Sequence, residues 1–221
     1  EALERAIRPN TRVIYFESPS NPTLEIIDIA ALAAMAKSHG IPSIIDNTFA
    51  SPALQQPLAL GVTVVVHSAT KYLCGHGDAM GGIAVGPKGF ISELIHEIIR
   101  DFGGVISPFN AWLILRGIRT LHLRMPAHCA NAQRIAEFLA SHPQIERVNY
   151  PGLSSHPGHE VARRQMRAFG AMISFEVKGG YDAGKKVMDR VQLFARAASL
   201  GDTRSLIVHS ASTSHRAVPR T

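Results

Sequence analysis

Three short apolar runs constrain this chain more than any other feature: RVIYF at 12–16, IPSII at 41–45 and VTVVV at 62–66. Each has strand length, and the third is almost purely β-branched. Continuous apolar strands suit the buried middle of a parallel sheet. Between the first two lies 26–38, with apolar residues at Ile26, Ile29, Ala30, Ala33 and Ala36, which predicts a helix stopped by Gly40. Strand, helix, strand, crossover, strand predicts an α/β fold with a mostly parallel sheet.

Each run empties into polar residues. The first is followed by Ser18, Ser20 and Asn21, the second by Asp46, Asn47 and Thr48, and the third by His67, Ser68, Thr70 and Lys71. Ligands of open parallel sheets bind beyond the carboxyl ends of the strands. Any one cluster reads equally well as a cap or a polar loop. Together they bring a carboxylate, hydroxyls, an amide and an amine to one rim. A lysine held among hydroxyls can form a Schiff base with an aldehyde. A carboxylate on a neighbouring strand end can keep a ring nitrogen protonated, and Ser68 and Thr70 can donate to a phosphate. That set is what pyridoxal 5′-phosphate (PLP) requires.

The runs YFESPSNP (15–22), IDNTF (45–49), HSATKYL (67–73) and GHGD (75–78) resemble the Cys/Met-metabolism PLP-dependent enzymes, the cystathionine γ-synthase-like group of fold-type I. The resemblance continues in order through SPFNAW (107–112), LRGIRTL (115–121), YPGL (150–153), SFE (174–176) and SLGD (199–202). It implies a fold-type I architecture, with a large PLP-binding domain over 1–125 and a smaller C-terminal α/β domain over 126–221, both partial. It implies that Lys71 is the Schiff-base and catalytic lysine and that Asp46 pairs with the pyridinium nitrogen. Ser68 and Thr70 then bind phosphate, Asn21 lies near the phenolic oxygen, Thr48 lies against the ring, and Ser199 helps to hold the substrate carboxylate. The implied activity is γ-elimination on a sulfur amino acid such as methionine. The alternatives are γ-replacement, as in an O-succinyl- or O-acetylhomoserine sulfhydrylase or a cystathionine γ-synthase, and a catalytically dead oligomerisation module. The implied partners are a small amino-acid substrate and further copies of the chain, in a homotetramer with shared active sites. The stacking tyrosine, a neighbour's phosphate ligands and a carboxylate-binding arginine are expected outside these 221 residues.

Other readings are weaker. The net charge is +6, but basic residues are scattered and aromatics are only 6%, too few for base-stacking platforms, so no nucleic-acid partner is expected. No apolar run approaches the roughly 18 residues of a membrane span. The two cysteines, Cys74 and Cys129, exclude a disulfide scaffold, and a cytoplasmic location is expected. Cys74, His76 and Asp78 suit zinc poorly, because such a short span offers no distant fourth ligand. The glycines at 75–82 lack the Lys-Ser/Thr of a P-loop. Trp112, Leu113 and Leu115 read as the core face of a helix, Cys129 as a buried helical residue, and Pro126 as a break between helices at 108–124 and 127–141.

Overall fold

A computed structural model describes residues 2–217. Helix α1 (Ala2–Ala6) leads into strand β1 (Ile14–Glu17), helix α2 (Ile29–Ser38), strand β2 (Ser43–Asp46), the short helix α3 (Ser51–Leu54) and strand β3 (Val64–Ser68). Strand β4 (Gly82–Val85) precedes a helical stretch made of α4 (Lys88–Glu93), a π-helical segment (Leu94–Ile99) and α5 (Arg100–Phe102). Helices α6 (Pro108–Ile118) and α7 (Leu121–Ser141) then lead to β5 (Ile145–Asn149), α8 (His159–Gln165), β6 (Ser174–Val177), α9 (Gly180–Arg190), β7 (Ala195–Arg196) and β8 (Leu206–Ile207).

The main sheet has the order β1-β2-β3-β4. Its first three strands are parallel, and β4 pairs antiparallel with β3. The α/β reading of the sequence holds, with β4 as an addition. Helix α2 starts where the Asp28 side chain accepts from Ala31 N and ends at Gly40, whose φ is +66°. Its Ile29, Leu32, Ala33 and Ala36 are buried against Ile14, Phe16, Ile45 and Val65. Full burial of one such isoleucine is worth about 1.5–3 kcal/mol, so this seam fixes the helix on the sheet. Glu17 sits opposite Asp46, and Asp46 opposite Val66. Strands β1 and β2 therefore finish level, β3 runs on to Ser68, and their loops open on one rim.

Two expectations need correction. Helix α7 runs unbroken through Pro126; the chain turns earlier, at Arg119 and Thr120. Proline costs one backbone bond, but Met125 and Cys129 on either side are buried in the core and hold the helix on course. Cys129 is buried, as expected. Trp112 and Leu115, by contrast, are 57% and 63% exposed. Helix α6 instead buries Ile114 and Gly117. A Cβ at Gly117 would lie 2.8 Å from the Leu73 carbonyl oxygen and closer still to that of Cys74, so this glycine sets the face that approaches the turn after β3.

The second part of the chain pairs β5 antiparallel with β6 and β7 parallel with β8. Tyr150 is buried and donates to the Gly170 carbonyl at 3.0 Å. Among the described residues, no helix is long and apolar enough to cross a membrane.

Candidate active site

The turn after β3 carries Ser68, Thr70 and Lys71. Lys71 N donates to Ser68 O at 3.2 Å, Cys74 N to Ala69 O at 2.9 Å and Gly75 N to Lys71 O at 2.8 Å. This tight turn leaves Lys71 half-buried, and its Nζ donates to Ser199 Oγ at 3.3 Å. Two residues far apart in sequence, both read as site residues, thus meet.

The loop of Ser199 is seated by glycine. Gly201 has φ +77°, and a Cβ there would lie 2.7 Å from the Lys71 carbonyl carbon and closer still to Tyr72 N. Only glycine allows that approach. The next residue, Asp202, is buried. Its Oδ2 accepts from Arg204 Nη2 at 2.7 Å and Nε at 3.1 Å, and its Oδ1 from Arg204 N at 3.0 Å and the Thr203 hydroxyl at 3.2 Å. Arg204's side-chain bond holds the Asp202 carboxyl below its ordinary value, with burial opposing. A Cβ at Gly77 would come within 2.6 Å of Asp202 Oδ2, so this loop also rests on the turn that starts at Lys71.

Asp46 ends β2. Its Oδ1 accepts from Thr48 N at 2.9 Å, and Thr48 Oγ1 accepts from Ser68 N at 2.7 Å. Asp46, Thr48 and Ser68 are therefore one connected group. Tyr15 lies nearby: partial burial first, then the charges of Asp46 and Glu17, push its phenol up. His67 is buried; burial pushes its imidazole down, opposed by the Asp46 charge and a bond to the Asn47 backbone. Thr70 Oγ1 accepts from Gly81 N at 3.1 Å, which ties the turn to the strand entering β4. Asn21 stands beyond β1, anchored where its N–H donates to Glu17 Oε2 at 3.1 Å. Around Cys74, Sγ donates to Asp78 Oδ1 at 3.1 Å and His76 Nδ1 bonds the Cys74 carbonyl at 2.8 Å.

Beneath the rim is a buried amide network that the sequence reading missed. Gln55 and Asn47 are each 1% exposed. Gln55 Nε2 donates to Ser18 O and to Asn47 Oδ1, both at 2.8 Å, and Asn47 Nδ2 donates to Gln55 O at 3.0 Å. Gln165 of α8 extends the chain, donating to Gln55 Oε1 at 3.3 Å and Ile27 O at 3.0 Å. Gln55 is followed by the exposed Gln56, and nothing in composition or period separates the two.

A mostly parallel sheet whose strand ends present an amine, a carboxylate and hydroxyls is the frame of an α/β enzyme built around a small cofactor. The chain belongs to the family of Cys/Met metabolism PLP-dependent enzymes, which it matches over residues 1–221. It is 53% identical over 216 residues to an L-methionine gamma-lyase of Pseudomonas putida, covering 97% of this chain and 54% of that protein. It is 51% identical over 214 residues to an O-succinylhomoserine sulfhydrylase of Pseudomonas aeruginosa, covering 97% and 53%. Among solved structures it resembles a cystathionine gamma-lyase from Lactobacillus plantarum complexed with L-serine. There the TM-score is 0.95 and the identity 46%, covering 99% of this chain and 57% of that one. The chain thus spans about half the length of the curated relatives it matches.

Proposed function

We propose that the full-length protein is a PLP-dependent γ-lyase that converts L-methionine and water to methanethiol, ammonia and 2-oxobutyrate. The observation that carries the chemistry is the Lys71 amine directed at Ser199 on the rim that also holds Asp46. The donor set fits the cofactor: an amine whose neighbour is a neutral hydroxyl, a carboxylate one strand away, and hydroxyls beside both. Lys71 Nζ would hold the cofactor's aldehyde carbon, Asp46 its ring nitrogen, and Ser68 and Thr70 its phosphate. Thr48 would lie against the ring and Asn21 near the phenolic oxygen. When bound, PLP supplies an electron sink for bonds broken at the substrate Cα. Lys71 Nζ would also serve as the general base for the substrate Cα proton. Asp46 would keep a proton on the ring nitrogen. Ser199 steadies the lysine and receives the substrate carboxylate.

The preference for elimination rests on similarity to L-methionine gamma-lyases at about half identity over nearly all of this chain. γ-Replacement is the second reading, favoured by the comparable similarity to a sulfhydrylase. Methionine offered without a second thiol separates them. Release of methanethiol and 2-oxobutyrate supports the lyase, and turnover only of an O-acylhomoserine with sulfide sinks it.

The proposed assembly is a cytoplasmic homotetramer with shared sites. Its support is the exposed apolar face of Phe109, Trp112 and Leu115 on α6. Light scattering of the full-length protein tests it. We place the division between the two domains near residue 126. Helix α7 packs Leu121, Met125 and Cys129 into the core beneath the Lys71 turn, whereas its Ala132 and Ala136 pack with Tyr150.

A further inference from the structure

The rim's acidic group is set from below. We propose that Gln55 is a positioning residue that fixes the Asp46–Thr48 turn, and with it the group that faces the cofactor ring, by clamping Asn47 to the loop after β1. The role rests on the proposed PLP site at Lys71 and Asp46.

The geometry is closed at every point. The Gln55 amide gives one N–H to the Ser18 carbonyl and one to the Asn47 side-chain carbonyl, while Asn47 returns an N–H to the Gln55 backbone carbonyl. Asn47 is further held by its backbone N–H on Val66 O at 2.9 Å and by its carbonyl, which accepts from Ser51 N at 2.9 Å. Asn47 is the middle residue of Asp46-Asn47-Thr48, so a fixed Asn47 side chain fixes the peptides on both sides. Thr48 then bonds Asp46 Oδ1 and the Ser68 N–H. The clamp therefore governs the spacing between the Asp46 carboxylate on β2 and the Ser68–Lys71 turn on β3. Ser18 precedes Pro19, Ser20 and Asn21, so the same amide also joins the Asn21 loop to the Asp46 loop. Buried amides cannot fall back on water, so removing the donor leaves the Ser18 and Asn47 oxygens stranded, and the turn must move to satisfy them.

Gln165 provides the control. Its side chain makes three hydrogen bonds, to Ile27 O, to Gln55 Oε1 and from Ile29 N, but none to Asn47. Gln55→Met removes the bonds to Ser18 and Asn47 themselves, whereas Gln165→Met leaves both in place and reaches the Asp46 turn only by freeing Gln55 Oε1.

The full-length protein would be stripped of cofactor and titrated with pyridoxal 5′-phosphate. Its affinity, the pH midpoint of the visible band and the melting temperature would be recorded for wild type and both variants. The expected result is a loss of cofactor affinity of about tenfold in Gln55→Met, with a displaced pH midpoint. Gln165→Met should melt lower and lose clearly less cofactor affinity than Gln55→Met, with a smaller displacement of the midpoint. Gln55→Asn keeps the amide and shortens its reach by one methylene; it serves if the methionine variant fails to fold, with the same direction and a smaller effect. The proposal is overturned if Gln55→Met and Gln55→Asn bind cofactor as wild type does with an unmoved midpoint, or if Gln165→Met loses as much affinity. A wild-type protein that takes up no cofactor overturns the proposed function, and this role falls with it.

Discussion

Lys71 Nζ and Ser199 Oγ lie 3.3 Å apart, on segments separated by 128 positions in sequence. This bond is exposed, so its energy is small; its value is directional. Ser199→Ala should leave the melting temperature of the full-length protein nearly unchanged, with stability shifted by less than about 0.5 kcal/mol. It should lower kcat/KM for the amino acid by about tenfold, because the lysine loses its steady orientation and the substrate carboxylate loses a partner. Unchanged steady-state kinetics would remove Ser199 from the site.

Lys71 and Asp46 should separate cleanly in experiment. With Lys71→Ala, borohydride should no longer fix cofactor to the protein, since no amine remains at the rim position to hold it. With Asp46→Asn, fixation should persist, because the amine is intact. Yet kcat/KM should fall by about a hundredfold, as loss of a charge-assisted hydrogen bond costs about 1.5–3 kcal/mol. Fixation as efficient in Lys71→Ala as in wild type would refute the assignment.

The strands and their rim were legible because β-branched and apolar runs at 12–16, 41–45 and 62–66 carry a strong local signal. Strand β4 escaped notice because Gly82 opens it within a glycine-rich stretch; only pairing with Val65–Ser68 makes it a strand. Local pattern marks a helix but not which of two adjacent stripes faces inward. On α6 the close approach of Gly117 to the Leu73 carbonyl decides this, and Trp112 is turned out. The Gln55 clamp left no trace either, because amides joined across 37 positions look like any polar residues until the chain brings them together. The meeting of Lys71 with Ser199 was anticipated only through the family motif.

Two glycines with nearly the same backbone test the fit of the Ser199 loop. Gly40 has φ +66°, and a Cβ there would meet nothing within 4 Å, whereas Gly201 has φ +77° and faces the Lys71–Tyr72 backbone. Gly40→Ala should cost only the left-handed penalty, about 1–2 kcal/mol. Gly201→Ala should add an overpacking cost of about 1–3 kcal/mol and push Ser199 away from Lys71, so activity falls together with stability. Denaturant unfolding beside steady-state kinetics reads both. Equal stability losses in the two variants would mean that the 199–204 loop does not rest on the Lys71 turn.

Three histidines make stability sensitive to acid. Burial pushes His67, His128 and His156 below the ordinary 6.5. At His128 the Arg124 charge adds to the effect, while at His67 and His156 backbone bonds oppose it. A histidine with a lowered folded value stays neutral in the native state while the unfolded chain takes up a proton below 6.5. The unfolded state then binds more protons, so stability falls as pH drops from 6.5 toward the folded values and levels off beneath them. Asp202, also lowered, acts in a separate and more acidic window: its contribution is present above 3.8 and is lost as pH falls through its folded value. The melting temperature of the full-length protein should therefore decline between about pH 7 and pH 5, before the carboxylates titrate. His128 packs edge-on against Tyr72 with ring centroids 5.7 Å apart, so His128→Phe keeps the ring contact and removes the titration. Its melting temperature should fall less steeply over that window than that of wild type. Parallel curves would show that His128 takes no part in the acid response.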